Sequence, residues 1–207
     1  MAGKGARKLF IKGLWEDNPV FRQILGICSA LAVTNLLENT LIMGLSLIFV
    51  TSLSNVTVSI LRQVTPSRIR MMVQTLIIAS YVIIVDILLK AYLPDISEAL
   101  GPYVGLIITN CIIMGRCEAF ARSNPVWPSF LDGLASGLGY ALVLLTVAFF
   151  RELLGFGSVF NIPVLPAEWT RWTIMVMPPG AFFMLGIVIW LVRSLGPKPA
   201  PKADARG

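Results

Sequence analysis

The stretch "GLIITNCIIMGRCEAFA", residues 105–121, sets the problem this sequence poses. An apolar run is interrupted by the polar triplet Thr109-Asn110-Cys111, and a second cysteine, Cys117, follows in a chain that has only three. A cysteine inside an apolar segment is ordinarily a small buried hydrophobe. Whether either thiol does more depends on the kind of chain around it.

That chain has 207 residues, 56% of them hydrophobic and 14% charged, with a mean hydropathy of +0.79. Soluble domains carry about a quarter charged residues. Several apolar runs reach the roughly 20 residues needed to cross a hydrocarbon core of about 30 Å, so the expectation is a polytopic membrane protein. The N-terminus "MAGKGARKLFIKGLWEDNPVFRQ" is basic, but no apolar stretch and small-residue cleavage site follow it in signal-peptide order. Residues 1–23 therefore read as a cytoplasmic, membrane-hugging lead. The Pro/Ala/Lys-rich tail, 196–207, reads as disordered. The formal net charge of +6 does not imply a nucleic-acid partner, because in a membrane chain the placement of charge matters more than its sum. Membrane lipid is the expected surrounding.

Apolar segments fall at 24–37, 41–61, 71–93, 101–114, 130–150 and 174–195. Segments one and four have only about 14 residues, about 21 Å of helix at about 1.5 Å per residue, and are too short to span. The order short, long, long occurs twice, and the second member of each trio ends alike, in "SILRQ" (59–63) and "AFFRE" (148–152). Three segments per half is an odd number, so the second half must run upside down relative to the first. Paired short segments in inverted halves point to a midplane site built on broken helices. The expected fold is an all-α membrane protein, its domain (24–195) holding six transmembrane segments in two inverted three-helix repeats, with segments one and four as half-helices. With the N-terminus inside, the cytoplasmic pieces hold 14 of the 17 Lys and Arg, Arg193 being taken with the tail, and the outer loops hold only Arg151 and Arg171. This positive-inside split places both termini in the cytoplasm, with Trp127, Trp169 and Trp172 at membrane edges.

Histidine is absent, which excludes His-ligated haem, His-bearing zinc sites and Ser-His-Asp or Cys-His catalysis. Of the cysteines, Cys28 lies on the first short segment ("LGICSALAVTN") and Cys111 on the second ("IITNCIIMG"). One thiol on each half-helix falls where inverted halves would meet. A two-iron cluster needs four cysteines, so these two would require two more from another subunit. Cys117, beyond Gly115 and Arg116, has no counterpart in the first half and reads as a spectator. Two acids lie at depth. Asp86 and Lys90 share one side of segment three and can pair, and Asp132 sits near the inner end of segment five. Ionisable groups in a membrane are a functional hypothesis by default, set against an ordinary ion pair for Asp86 and a helix-start acid for Asp132. "GLASGLG" (133–139) has the outline of a nucleotide loop but lies inside a membrane helix, where small residues four apart form a packing face.

"LGICSALAVT", "VQTLIIASYVIIVDILLKAYLPDIS", "VGLIITNCIIMGR" and "SFLDGLASGLGYALVLLTVAFFRELLG" together resemble the D-type subunits of the bacterial Na⁺-translocating NADH:quinone oxidoreductase, Nqr, over about residues 18–195. The Rnf complex has a homologous subunit. The resemblance implies a six-helix subunit of the bacterial inner membrane, part of a quinone-reducing enzyme but holding no complete active site. It implies a homologous partner of opposite orientation, the E-type subunit, and further subunits of types A, B, C and F. Each of the pair gives two cysteines, here Cys28 and Cys111, to one intramembrane [2Fe–2S] cluster. FAD, FMN and NADH are implied on other subunits. The cluster relays electrons from the cytosolic flavin and iron–sulfur subunit (type F) to the outer FMN subunit (type C), on the way to ubiquinone. Asp86 and Asp132 match acids on the implied Na⁺ route. The family usually has alanine where this chain has Cys117, which agrees with the spectator reading. The competing expectations are an Rnf-type subunit working between ferredoxin and NAD, a secondary transporter with inverted repeats and no redox role, and a structural scaffold.

Overall fold

A computed structural model describes residues 25–66, 68–92, 94–159, 162–163 and 173–195. The expected N-terminal lead, the C-terminal tail, Trp169, Arg171 and Trp172 lie outside the described residues. The described residues are helical, apart from connecting turns and a two-residue antiparallel pair, β1 (Ser158–Val159) with β2 (Ile162–Pro163). The helices are α1 (Ile27–Val33), α2 (Leu37–Leu61), α3 (Arg70–Tyr92), α4 (Pro94–Ile108), α5 (Cys111–Arg116), α6 (Val126–Gly155), α7 (Thr173–Val176) and α8 (Pro178–Leu195). A turn of π-helix, Cys117–Ala121, continues α5.

Among the described residues, four stretches are long and apolar enough to cross a membrane: Leu37–Leu61, Arg70–Tyr92, Gly101–Ala121 and Val126–Gly155. This is an integral membrane protein. The other two expected segments differ for local reasons. Segment one, expected at 24–37, is the seven-residue α1, closed off at Thr34 and restarted as α2 at Leu37. Segment six, expected at 174–195, is divided at Met177 into α7 and α8. Pro178 opens α8, at a helix start where its missing N–H costs nothing. Segment four corrects the expected half-helix at 101–114. Its helix begins at Pro94, stops at Ile108, restarts at Cys111 and runs on to Ala121. From Gly101 to Ala121 it is long and apolar enough to cross, with a break inside it.

The core is the packing of α2 on α6. Gly133 of α6 lies against Ser52, Gly137 against Ile48, and Ala141 against Gly44, so the two helices run antiparallel. A Cβ at Gly133 would stand 2.9 Å from the Ser52 Cα, and one at Gly137 would stand 3.0 Å from the Ile48 Cα. These glycines let two backbones approach, as the packing-face reading of "GLASGLG" expects. The antiparallel pair sorts the turns into two ends. The turns 62–69 and 122–125 share one end, where Ser59 Oγ donates to the Asn124 carbonyl at 2.7 Å and Arg70 pairs with Glu118 at 2.7 Å. The breaks at 34–36 and 177 share the other, where the Leu37 N–H donates to Glu152 at 2.7 Å.

Arg151 is at that second end too, but not in a loop as its outer assignment implied. α6 runs to Gly155 and carries Arg151 in its last turns, 2% exposed. Its guanidinium donates to the carbonyls of Met175 (3.0 Å) and Val176 (2.9 Å) and to Thr34 Oγ1 (2.6 Å). Carbonyls left open where a helix ends need donors, and one arginine here serves α7 while bracing the end of α1.

Candidate functional site

The start of α1 and the break inside segment four meet halfway along the molecule. Gly26, the residue before α1, has φ +83°, a left-handed conformation natural to glycine. A Cβ there would also lie 2.5 Å from Ile112 Cδ1 and 2.8 Å from Tyr140 Cε2. At the break Asn110 caps α5. Its side-chain oxygen accepts from the Ile112 N–H at 3.0 Å, the ordinary service of an asparagine before a helix. The Thr109-Asn110-Cys111 triplet is therefore the stop and restart of one helix, with Cys111 as the first residue of the new piece. Cys28 is the second residue of α1.

A buried polar network joins the two. Asn110 Nδ2 donates to Ser29 Oγ at 3.1 Å. The Tyr140 hydroxyl donates to the Gly26 carbonyl at 2.8 Å, and Ser29 Oγ gives its one proton to the close contact with the Tyr140 hydroxyl, lying 3.3 Å from the same carbonyl. The Gly26 N–H in turn donates to Cys111 Sγ at 2.9 Å. Tyr140 comes from the middle of α6, about 21 Å from either end at about 1.5 Å per residue. The network thus fixes both cysteine-bearing pieces at mid-height. Cys28 is exposed, Cys111 half-buried and Cys117 buried, and none is in a disulfide.

Cys117 sits in the π-turn, where its Sγ donates to Asn55 Oδ1 at 3.3 Å. It is fully enclosed, although it directly follows Arg116. Asp132 is 2% exposed and holds Arg116 by two contacts. Arg116 Nε donates to Oδ2 at 3.0 Å, and Nη2 closes on Oδ1. The guanidinium also lies over the Phe120 ring, 5.8 Å from its centroid. Asp86 pairs with Lys90 at 2.6 Å on the open side of α3. The structure brings Cys111 to the Gly26–Ser29 corner that carries Cys28; it does not bring Asp86 to Asp132.

Sequence reasoning missed Gly26, Ser29, Tyr140 and Arg116. An asparagine before a cysteine that restarts an apolar run is a cap signal, and it marks the break. Nothing local in the sequence tells Tyr140 apart from any other tyrosine in an apolar helix.

Membrane helix pieces that begin at mid-height, each with a thiol in its first turn, define an integral membrane protein whose bundle is tied together by a buried polar network. The chain belongs to the Rnf-Nqr family of membrane-protein subunits, whose family model matches residues 6–189. It is 49% identical to the D subunit of the Na(+)-translocating NADH-quinone reductase of Photobacterium profundum, over 94% of this chain and 95% of that one.

Proposed function

We propose that this chain is the membrane electron-transfer subunit of a Na⁺-translocating NADH:quinone oxidoreductase. Cys28 and Cys111 give half of the ligands of an intramembrane [2Fe–2S] cluster, and a homologous, inverted E-type subunit gives the rest. The single observation that carries this is the Gly26 N–H bonded to Cys111 Sγ, which ties the two cysteine-bearing pieces into one corner at mid-height. The donor set suits half a cluster. Two thiols are open to some degree while the third is enclosed, and among the described residues no three metal-binding side chains converge. Four thiolates are the usual requirement, so a cluster here needs a second chain.

A bound cluster of this kind takes up and passes on single electrons. This chain's own part is to hold the two sulfurs and to set their surroundings. The Gly26 N–H reaches Cys111 Sγ directly, and hydrogen bonds to the sulfurs are one of the terms that set a cluster's potential. Ser29, Asn110 and Tyr140 keep both pieces rigid around the thiols. Electrons arrive from the cytosolic flavin and iron–sulfur subunit (type F) and leave to the outer FMN subunit (type C), on the way to ubiquinone. NADH, FAD and FMN belong to those other subunits, and the A-type and B-type subunits complete the complex.

The same reading takes the domain 24–195 as two inverted halves, with 1–23 and 196–207 as cytoplasmic extensions in a bacterial inner membrane. The end of α2 braces the turn before α6 through Ser59 and Asn124. The end of α6 braces the turn before α2 through Glu152 and Leu37. Such an exchange of supports is what an inverted pair would give. The cytoplasmic end is then the one carrying Arg62, Arg68, Arg70, Arg116 and Arg122. Asp132, locked to Arg116, and Asp86, paired with Lys90, flank the route for Na⁺ from the two ends.

The test is iron and acid-labile sulfide in the purified complex, for the wild type and for Cys28→Ala, Cys111→Ala and Cys117→Ala. Loss of two irons per complex in each of the first two variants, and none in the third, is expected. Unchanged iron in all three would leave a transporter-like or scaffold subunit.

A further inference from the structure

The basic end holds a cavity of about 120 Å³ between α2, α3 and the turn after the π-helix, lined by Val58, Arg62, Arg70, Gln74 and Arg122 among others. Pockets for drug-sized ligands run from about 300 Å³ upward, so this one suits a small group. Its polar lining is lopsided. Three arginines line it, against one nearby carboxylate, Glu118, which is already shared among Arg70 (2.7 Å), Arg122 (3.2 Å) and Gln74 Nε2 (3.2 Å). Arg70 Nε is enclosed and has no hydrogen-bond partner, and neither has the enclosed Gln74 Oε1. Gln74 itself is 2% exposed. A buried donor and a buried acceptor left open cost free energy unless something fills them. Arg62 is exposed and pairs with no carboxylate among the described residues.

We infer that this cavity binds a phosphate-bearing anion that also carries a hydroxyl. Its anionic oxygens accept from Arg70 Nε and from the Arg62 and Arg122 guanidiniums, and its hydroxyl donates to Gln74 Oε1. Guanidiniums suit phosphate because their donors fork onto its oxygens. Basic pockets between membrane helices at the cytoplasmic face are a known setting for lipid headgroups. A glycerol-bearing phospholipid and free hydrogen phosphate share this chemistry. The assignment is independent of the cluster.

The experiment takes the full chain with its accompanying subunits, stripped of lipid in a neutral detergent. It titrates short-chain phosphatidylglycerol, phosphatidylcholine and inorganic phosphate, with binding counted by native mass spectrometry and by the shift in melting temperature. Saturable binding of phosphatidylglycerol is expected, weakened roughly fivefold by Arg62→Gln and by Arg122→Gln and not displaced by phosphatidylcholine. Arg68, exposed at the same end but outside the cavity, supplies the control: Arg68→Gln leaves the affinity as it was. If inorganic phosphate alone protects, with the same dependence on Arg62, the site stands and its occupant is a free anion. Arg62 anchors no other side chain, so its variant tests the site even where Arg122→Gln fails to fold. Equal loss in Arg68→Gln, equal binding of phosphatidylcholine, or no saturable binding, as when an acidic segment of another subunit fills the cavity, overturns the inference.

Discussion

Helices α3 and α6 are both long, apolar crossings with polar residues inside them, yet they treat those residues in opposite ways. Of the apolar window in α6, 61% is buried inside the molecule; of that in α3, 22%. On the exposed side of α3 the polar groups look after themselves. Thr75 and Ser80 donate to carbonyls one turn back, at 2.7 Å and 2.9 Å, and Asp86 takes Lys90 from the next turn. On α6 they reach across the bundle: Asp132 to Arg116, Tyr140 to the Gly26 carbonyl, Arg151 to Thr34, Met175 and Val176. In an apolar medium each polar group must be satisfied inside the protein. A peripheral helix does that locally, and a central one does it by fixing its neighbours. α6 is thus the post on which both cysteine-bearing pieces are hung, and α3 is its open flank, apart from Tyr81, whose hydroxyl bonds Thr57 at 2.7 Å, and Gln74 and Arg70 at the basic end.

The hardest blow to this contrast is aimed at Asp132. Asp132→Ala strands the Arg116 charge in the interior and is expected to cost about 3–5 kcal/mol, read as loss of folded protein from detergent extracts of the membrane. The double change Arg116→Met with Asp132→Leu removes both charges and is expected to recover most of that loss, since apolar replacement of a buried pair is often neutral or better. If the recovered protein has lost the Na⁺ dependence of quinone reduction while its iron is normal, Asp132 serves Na⁺ as well as the fold. If Na⁺ kinetics also return, the pair is structural.

Next in size is Gly133→Ala. Its new methyl would meet the Ser52 Cα at 2.9 Å and the Thr51 carbonyl at 3.1 Å, backbone atoms that cannot step aside. Overpacking of this sort costs about 1–3 kcal/mol, and a lowered melting temperature in detergent checks it. Tyr140→Phe keeps the ring but leaves the Gly26 carbonyl and Ser29 with one partner fewer, at about 1–3 kcal/mol for unsatisfied buried groups. The matched change on the flank, Ser80→Ala, removes a hydroxyl that bonds only to its own helix and is expected to leave the melting temperature unchanged. Equal effects from Tyr140→Phe and Ser80→Ala would break the comparison.

Much of this was legible in the sequence, and the boundary between what was and what was not follows the range of the forces involved. Apolar length gave α2, α3 and α6 to within a few residues, because burial in hydrocarbon acts on each residue wherever its neighbours lie. The glycine spacing of 133–137 gave the packing face. The polar triplet at 109–111 stood out as an interruption, but segment four was drawn straight across it as one half-helix; Asn110 as a cap was there to be read. The extent of the broken crossing was misjudged because 115–121, with Arg116 and Glu118, is too polar to count as an apolar run, though it continues the same helix. Arg151 was placed outside because a charge at the end of an apolar run ordinarily lies in water. Only the tertiary arrangement supplies the three acceptors that hold it in. For the same reason Ser29, Tyr140 and Gly26 could not be seen to converge: their partners lie 81 to 114 residues away.

The smallest expected effect is the sharpest check on the flank. Asp86 and Lys90 form a single contact on α3, and the Lys90 side chain is 65% exposed. A lone pair of this kind contributes about 0–1 kcal/mol, and Lys90 can carry its charge outward along its stem. Asp86→Asn is therefore expected to leave folding and iron content intact, in contrast to Asp132→Ala. That separation is useful because a change in Na⁺ kinetics in Asp86→Asn could not be blamed on a damaged bundle. A fall in stability as large as that of Asp132→Ala would mean instead that the open side of α3 is packed against another subunit. The pair would then be buried in the assembled complex, and α3 would be a contact face and not a lipid-facing flank.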